Sequence, residues 1–223
     1  MYEAAYNDVA YVFNSDYSAI EISEDITPQQ AVEAVVDTKS LALAYIINEL
    51  GCDADIYWSS FFMSVDFGPD GNKKLTFEAP WDFDSGVGNK ARCETGRGFY
   101  ASNIVPDVNG GPYHGGEYET VNPWLVVLAY EDWYQQIIKE SWTEAYDNGV
   151  FDRALEMIEN DKIAYADAFT RNYDRWSNMQ RGNEIESELC FKAKACLTHE
   201  AAANYLKEWL TTRIGFMNEH WHL

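Results

Sequence analysis

Apolar positions in the second half of the chain recur every three or four residues, the spacing of helices that bury one stripe. From Asn122-Pro123 onward this pattern predicts helices near 123–130, 131–148, 150–176 and 198–219, interrupted by a polar loop from Ser177 to Glu188. Asn148-Gly149 supplies a stop and a fresh start, and Thr198 an N-cap. Earlier, Thr27-Pro28 joins a capping hydroxyl to a proline at the first helical position. Asp37 is placed to cap a second helix whose Leu41, Ala44, Tyr45 and Asn48 share a face, and Gly51 ends it.

The period then changes. Tyr57 to Val65 is aromatic-rich and Lys73 to Ala79 alternates through Leu75 and Phe77, so the two read as strands of a hairpin. Gly68-Pro69-Asp70-Gly71-Asn72 between them is strong turn chemistry, and Pro80 closes the second strand. Residues 1–26 mix aromatic and acidic positions without a clean period, and the segment 1–36 as a whole is expected to be helical or irregular. Residues 85–121 hold most of the glycines, and so long an irregular stretch in a compact domain is more often functional than spacer. The fold class expected is α+β, mostly α-helical with a small antiparallel β-hairpin, in a single domain over 1–223.

Composition narrows the partners. Of 223 residues 47% are hydrophobic, enough for a core without a structural metal. Acidic residues number 37 against 16 basic, a formal charge of −21, which repels phosphate backbones and anionic lipid headgroups. Nucleic acid is therefore excluded as a partner, and no apolar run reaches 18 residues, so membrane insertion is not expected. The eight tryptophans suit a packed core better than a sugar-stacking surface. Cys52, Cys93, Cys190 and Cys196 match neither zinc nor redox spacings; their even number permits two bridges, and Cys190 and Cys196 are near enough to close a short loop.

Chemistry concentrates at the open end of the hairpin. Asp53-Ala54-Asp55 precedes the first strand, and Asp82 with Asp84 follows the second. A hairpin returns its ends to one edge, so these carboxylates are expected to be neighbours, repelling one another unless protonated or bridged by a cation. Hard ions such as Mg2+ or Ca2+ take oxygen ligands of this kind. The same residues also serve as turn and cap residues with solvent-facing charge, and spacing alone leaves both readings open. Lys90, Arg92 and Arg97 form the basic concentration nearest the acidic turn, suited to phosphate contact or to offsetting charge.

Asn48-Glu49-Leu50-Gly51, then Asp55-Ile56-Tyr57-Trp58-Ser59-Ser60-Phe61, then Pro80-Trp81-Asp82-Phe83-Asp84 with Gly88-Asn89, closely resemble the CotH kinase family of spore-coat and secreted proteins. Trp124, the segment from Asn172 to Trp176 and a closing helix with Arg213 add to the resemblance, which runs over roughly residues 35 to 220. It implies the helical C-lobe of an atypical protein-kinase-like fold, with ATP and a protein hydroxyl as substrates. In such phosphoryl transfer one aspartate orients the attacking hydroxyl and another holds the magnesium that bridges the phosphates. By resemblance Asp55 is the catalytic aspartate and Asp82 the metal-binding one, with Asp84 a second ligand and Asp53 able to take either role. Ser60 stands where a protein kinase places a metal-binding asparagine, five residues after the catalytic aspartate. No glycine-rich phosphate loop or Val-Ala-Ile-Lys-like strand is legible, so the chain looks like a carboxyl-terminal lobe, cut from a longer protein or naturally reduced, and inactive if the nucleotide clamp is lost. The resemblance further implies an extracellular or cell-surface setting, with a protein substrate or polysaccharide-associated proteins as partners. A non-catalytic module with the same carboxylates around a structural metal, glycan-associated or coat-type, is the alternative.

Overall fold

A computed structural model of the chain describes residues 26–53, 60–99 (Ser85 by its backbone alone), 128–176 and 189–223, and the backbone of 10–13 and 19–23. The chain gathers into two compact units, each discontinuous in sequence: one from Met1–Asn48, Asp55–Trp81 and Ala101–Ser141, the other from Glu49–Ala54, Asp82–Tyr100 and Trp142–Leu223.

The first unit opens with strands β1 (Ala10–Phe13) and β2 (Ala19–Ser23), paired antiparallel with Tyr11 opposite Glu21 and Val12 opposite Ile20. Within the segment expected over residues 1–36 to be helical or irregular, these two strands are a correction, while the helix signalled by Thr27-Pro28 is present. Tyr11-Val12-Phe13 and Ile20-Glu21-Ile22 are short β-favouring runs, too brief for periodicity to announce. Helix α1 (Pro28–Glu33) begins with a capping box, in which Thr27 Oγ1 accepts from Gln30 N–H and Gln30 Oε1 accepts from Thr27 N–H. Helix α2 (Thr38–Gly51) is capped by Asp37, whose carboxylate accepts from Ser40 N–H at 3.0 Å. Leu41, Tyr45 and Asn48 are buried as their spacing requires, and Ala42 and Ile46 widen the stripe.

Strands β3 (Met63–Val65) and β4 (Leu75–Phe77) make the second antiparallel pair, in register from Met63–Phe77 to Val65–Leu75. Their turn is fastened by Asp66, whose side chain accepts from Gly68 N–H and whose carbonyl accepts from Lys73 N–H. Gly71 is obligatory in that turn, because a Cβ there would lie 2.2 Å from the Asp66 carbonyl oxygen. The hairpin is tied to α2 where Ser40 Oγ accepts from Phe77 N–H at 3.0 Å. Val32, Val36, Leu41, Phe77, Leu128, Tyr134 and Ile138 form this unit's core.

The second unit is helical. Helix α3 (Asp132–Asp147) enters it at Trp142, followed by α4 (Val150–Ala164), α5 (Ala166–Trp176), α6 (Phe191–Ala195) and α7 (His199–Trp221). The single helix expected over 150–176 breaks at Tyr165 (φ −108°, ψ 11°), where neither glycine nor proline marks the stop. Gly149 takes φ +67° between α3 and α4, as its position after Asn148 implied. Trp142 stacks on Phe151 at 4.4 Å, meets Trp221 edge-on at 5.8 Å and donates its Nε1–H to Asn218. Trp142, Trp209 and Trp221 are thus core residues, while Trp176 is exposed. All four cysteines are thiols, and Cys190 caps α6 rather than closing a loop with Cys196. Among the described residues no helix is long and apolar enough to cross a membrane. The helix expected at 123–130 lies mostly outside the described residues, as do the polar loop at 177–188 and the glycine-rich stretch from 100 to 121.

Candidate active site

The end of α2 and the segment after the hairpin are built against each other in the second unit. Gly51, the last residue of α2, sits so close to the Phe83 ring that a Cβ would lie 2.5 Å from it. Its carbonyl accepts from Val87 N–H at 2.6 Å, and a Cβ on Gly86 would fall 2.5 Å from the same oxygen and 3.6 Å from Asp53 Cα. Two glycines and one phenylalanine therefore lock the Asp53 stretch beside Asp82 to Gly88. Glycine at these points is a matter of space, since any side chain would separate the two acidic segments.

Asp82 itself adopts a left-handed backbone, φ 67° and ψ 54°, and opens a one-turn 3-10 helix over Phe83–Ser85. Outside glycine this conformation is uncommon and costs of order 1 kcal/mol or more, and such strain clusters at functional sites. Phe83 turns inward to Gly51 while the carboxylates of Asp82 and Asp84 are exposed to water. Asn89 donates its side-chain N–H to the Asp84 carbonyl, and its buried Oδ1 finds no hydrogen-bond partner among the described residues. An amide oxygen in that condition lacks an electropositive neighbour, and a hard cation is one kind of neighbour that satisfies it.

This turn is braced from behind by the carboxyl-terminal helices. Gly88, at φ +82°, lies so near Trp209 that a Cβ would be 2.6 Å from the indole. Its carbonyl accepts from Tyr205 O–H at 2.6 Å and from the Cys190 thiol at 3.3 Å, and Asn89 O accepts from Cys190 N–H at 2.8 Å. Trp209 Nε1–H donates to Cys93 O at 2.6 Å. Burial pushes the Tyr205 hydroxyl pKa far up, so it remains a donor to Gly88. Burial likewise raises Cys52 from 9.0 to about 12, which makes it a protonated, inert core thiol.

Deeper still, Arg213 and Glu49 form an ion pair of 3.1 Å with both side chains fully buried. The guanidinium also donates Nε–H to Glu49 O at 2.9 Å and Nη1–H to Gly98 O at 2.6 Å. One arginine thus ties the end of α2 to the loop after the second 3-10 turn, Ala91–Cys93.

The residues singled out from sequence fare unequally. Asp82, Asp84 and Asp53 share this locked region, but Asp53 is buried to 1% exposure whereas the other two face solvent. Arg92 is half-buried and close enough to Cys52 to act on its thiol. Ser60, in the first unit, takes φ 59° and lines an apolar cavity of about 120 Å³ with Ser40, Asn48, Phe61 and Phe77. Asp55 lies outside the described residues, as do His114 and the Gly110 to Gly116 tip. Among the described residues no three His, Cys, Asp or Glu side chains are grouped to hold a metal. Sequence reasoning placed Asn89 near Asp82 without seeing its spare oxygen, and it did not foresee that Glu49 and Arg213 pair across 164 positions. The Gly88-Asn89 motif was the available signal for the first; nothing local announces the second.

A family model described as CotH kinase protein matches residues 5–217, reaching ahead of the motifs to take in β1 and β2. No curated protein and no solved structure matches the chain.

Proposed function

Because the chain belongs to the CotH kinase family, we propose that it is a phosphotransferase with a kinase-like C-lobe, moving the terminal phosphoryl group of ATP to a protein hydroxyl outside the cell or at its surface. The observation that carries this reading is the Asp82-Phe83-Asp84 turn. It is a strained, solvent-facing pair of carboxylates, fixed against the helix end that leads into Asp55. Phosphoryl transfer asks the protein mainly for positioning and charge neutralisation.

The donor set suits magnesium better than calcium. Calcium takes six to eight oxygens from a protein cage, whereas magnesium keeps several waters and is held by one or two carboxylates with substrate phosphates. Two exposed carboxylates and the partnerless Asn89 Oδ1 fit the second pattern, with Asp82 and Asp84 as holders. Bound there, the ion would neutralise charge on the phosphates. Asp55 is assigned the proton of the attacking hydroxyl, while Gly51, Phe83 and Gly86 set the spacing between Asp53 and the turn that carries the carboxylates. Tyr205, Cys190 and Trp209 hold the Gly88 strap against displacement.

Calorimetric titration with Mg2+, alongside transfer of labelled phosphate from ATP to protein acceptors, tests this reading. Asp82→Ala is expected to abolish both metal binding and transfer. Asp55→Ala is expected to abolish transfer while keeping most of the metal affinity. Metal affinity untouched by Asp82→Ala, or transfer that survives Asp55→Ala, overturns the assignment.

A further inference from the structure

On the second unit, away from the acidic turn in sequence, a cavity of about 300 Å³ opens between α4 and α7. Phe151, Leu155 and Ile214 give it apolar walls, Tyr146 an aromatic edge, and Asp152, Thr211 and Gly215 complete the lining. Its volume falls at the lower end of the range for small-ligand pockets.

Two features of the lining bear on what it can hold, and the first costs the helix something that packing does not return. Gly215 sits in the interior of a 23-residue helix, where glycine is less favourable than alanine. Its φ is not left-handed, and a Cβ there would meet nothing within 4 Å, so neither backbone nor neighbours require it. What its bare backbone does is keep the cavity open.

The second feature is Asp152, an exposed carboxylate in the first turn of α4 that makes no hydrogen bond or ion pair among the described residues. The cations on the two flanking helices are engaged elsewhere. Arg153 donates to Asn148 O at 2.7 Å, Lys162 and Lys207 both hold Glu159, and Arg213 is buried on Glu49. Thr211 spends its hydroxyl proton on Lys207 O and so offers only an acceptor.

We propose that this cavity binds the side chain of a lysine or arginine presented by a partner peptide. The aliphatic stem lies along Phe151, Leu155 and Ile214, over the space that Gly215 leaves. The cationic head reaches Asp152, with the Tyr146 ring beside it as a cation–π partner. A chain of formal charge −21 draws basic segments toward itself, and the cavity supplies the place where one is held. Neither Asp82 nor a metal takes part, so the site stands or falls apart from phosphoryl transfer.

The test is titration of the full chain with a short blocked peptide whose central residue is lysine, arginine or norleucine, followed by calorimetry and by NMR shifts at α4 and α7. The lysine and arginine peptides are expected to saturate, and norleucine, which keeps the stem without the charge, to bind about tenfold more weakly. Asp152→Asn is expected to lower lysine-peptide affinity by about tenfold, whereas Glu200→Gln, which removes the same charge from the start of α7, leaves it unchanged. Gly215→Ala is expected to raise the thermal midpoint and yet weaken the peptide, a pairing that a mere packing gap does not produce. Equal binding of lysine and norleucine, equal effects of the two charge removals, or no saturation at millimolar peptide would each overturn the proposal.

Discussion

Glu49 and Asp82 are both carboxylates of the second unit, and the protein treats them in opposite ways. Glu49 is fully buried and paired with an arginine that is equally buried, and the same guanidinium satisfies backbone carbonyls at the end of α2 and in the loop at Gly98. Asp82 is exposed, and its charge is presented on a backbone turned left-handed. The buried pair has its hydrogen-bonding capacity used up inside the fold, which makes it architecture. The exposed carboxylate stands on a strained turn that packing fixes in place, the kind of position at which functional residues cluster. The family motifs contain both residues without distinguishing them; their surroundings do.

That contrast is broken most directly at Arg213. Arg213→Met leaves Glu49 charged in an interior without water and strands the carbonyls of Glu49 and Gly98. The expected loss is about 3–5 kcal/mol, read from the urea midpoint. Adding Glu49→Leu is expected to recover part of it, since the buried charge is then gone, but not all, because the carbonyls remain without their donor. A single-variant loss below about 1 kcal/mol would show that the pair is no more structural than a surface bridge.

The two regions also differ in how far the sequence discloses them. The helix stop at Gly51, the cap at Asp37 and the turn at Gly68 to Asn72 are local signals, and the structure follows them. The acidic turn was legible because Trp-Asp-Phe-Asp lies close after a strand and ahead of Gly-Asn. Burial decides the remainder, and burial is made by residues distant in sequence. Asp53 and Asp82 look alike until Gly86 closes over one of them. The β1–β2 pair and the break at Tyr165 escaped for a related reason: four- and five-residue strands carry too few positions to set a period, and a helix can end where its packing ends.

Alkaline titration sharpens the contrast from the side of the core. Burial holds the Cys52 pKa at about 12 against an ordinary 9.0, partly offset by Arg213 and reinforced by Glu49 and Cys93. A group with a raised folded pKa keeps its stabilising contribution below the unfolded value and loses it as pH climbs toward the folded one. Stability is therefore expected to fall from near pH 9 upward, by at most about 1.4 kcal/mol per pH unit for this thiol. Buried Tyr134, also raised, adds to the fall above pH 10. Urea midpoints across this window test it, and Cys52→Ala is expected to shallow the slope whatever it costs in packing.

The smallest effect on the fold is expected where the largest effect on function is proposed. Asp82→Asn keeps the size and hydrogen-bonding shape of the side chain, and asparagine tolerates the left-handed region as well as aspartate does. The site is exposed, so neither a cavity nor an unpaired buried charge is created. Stability should then change by about 0.5 kcal/mol or less. The lost negative charge would nonetheless remove the carboxylate from the proposed magnesium site, leaving a neutral oxygen in competition with water. Unchanged urea midpoints combined with lost magnesium binding would place Asp82 on the chemical side of the comparison with Glu49. A midpoint that drops by as much as it does for Arg213→Met would instead make both carboxylates architectural, and the strained turn would owe its persistence to packing alone.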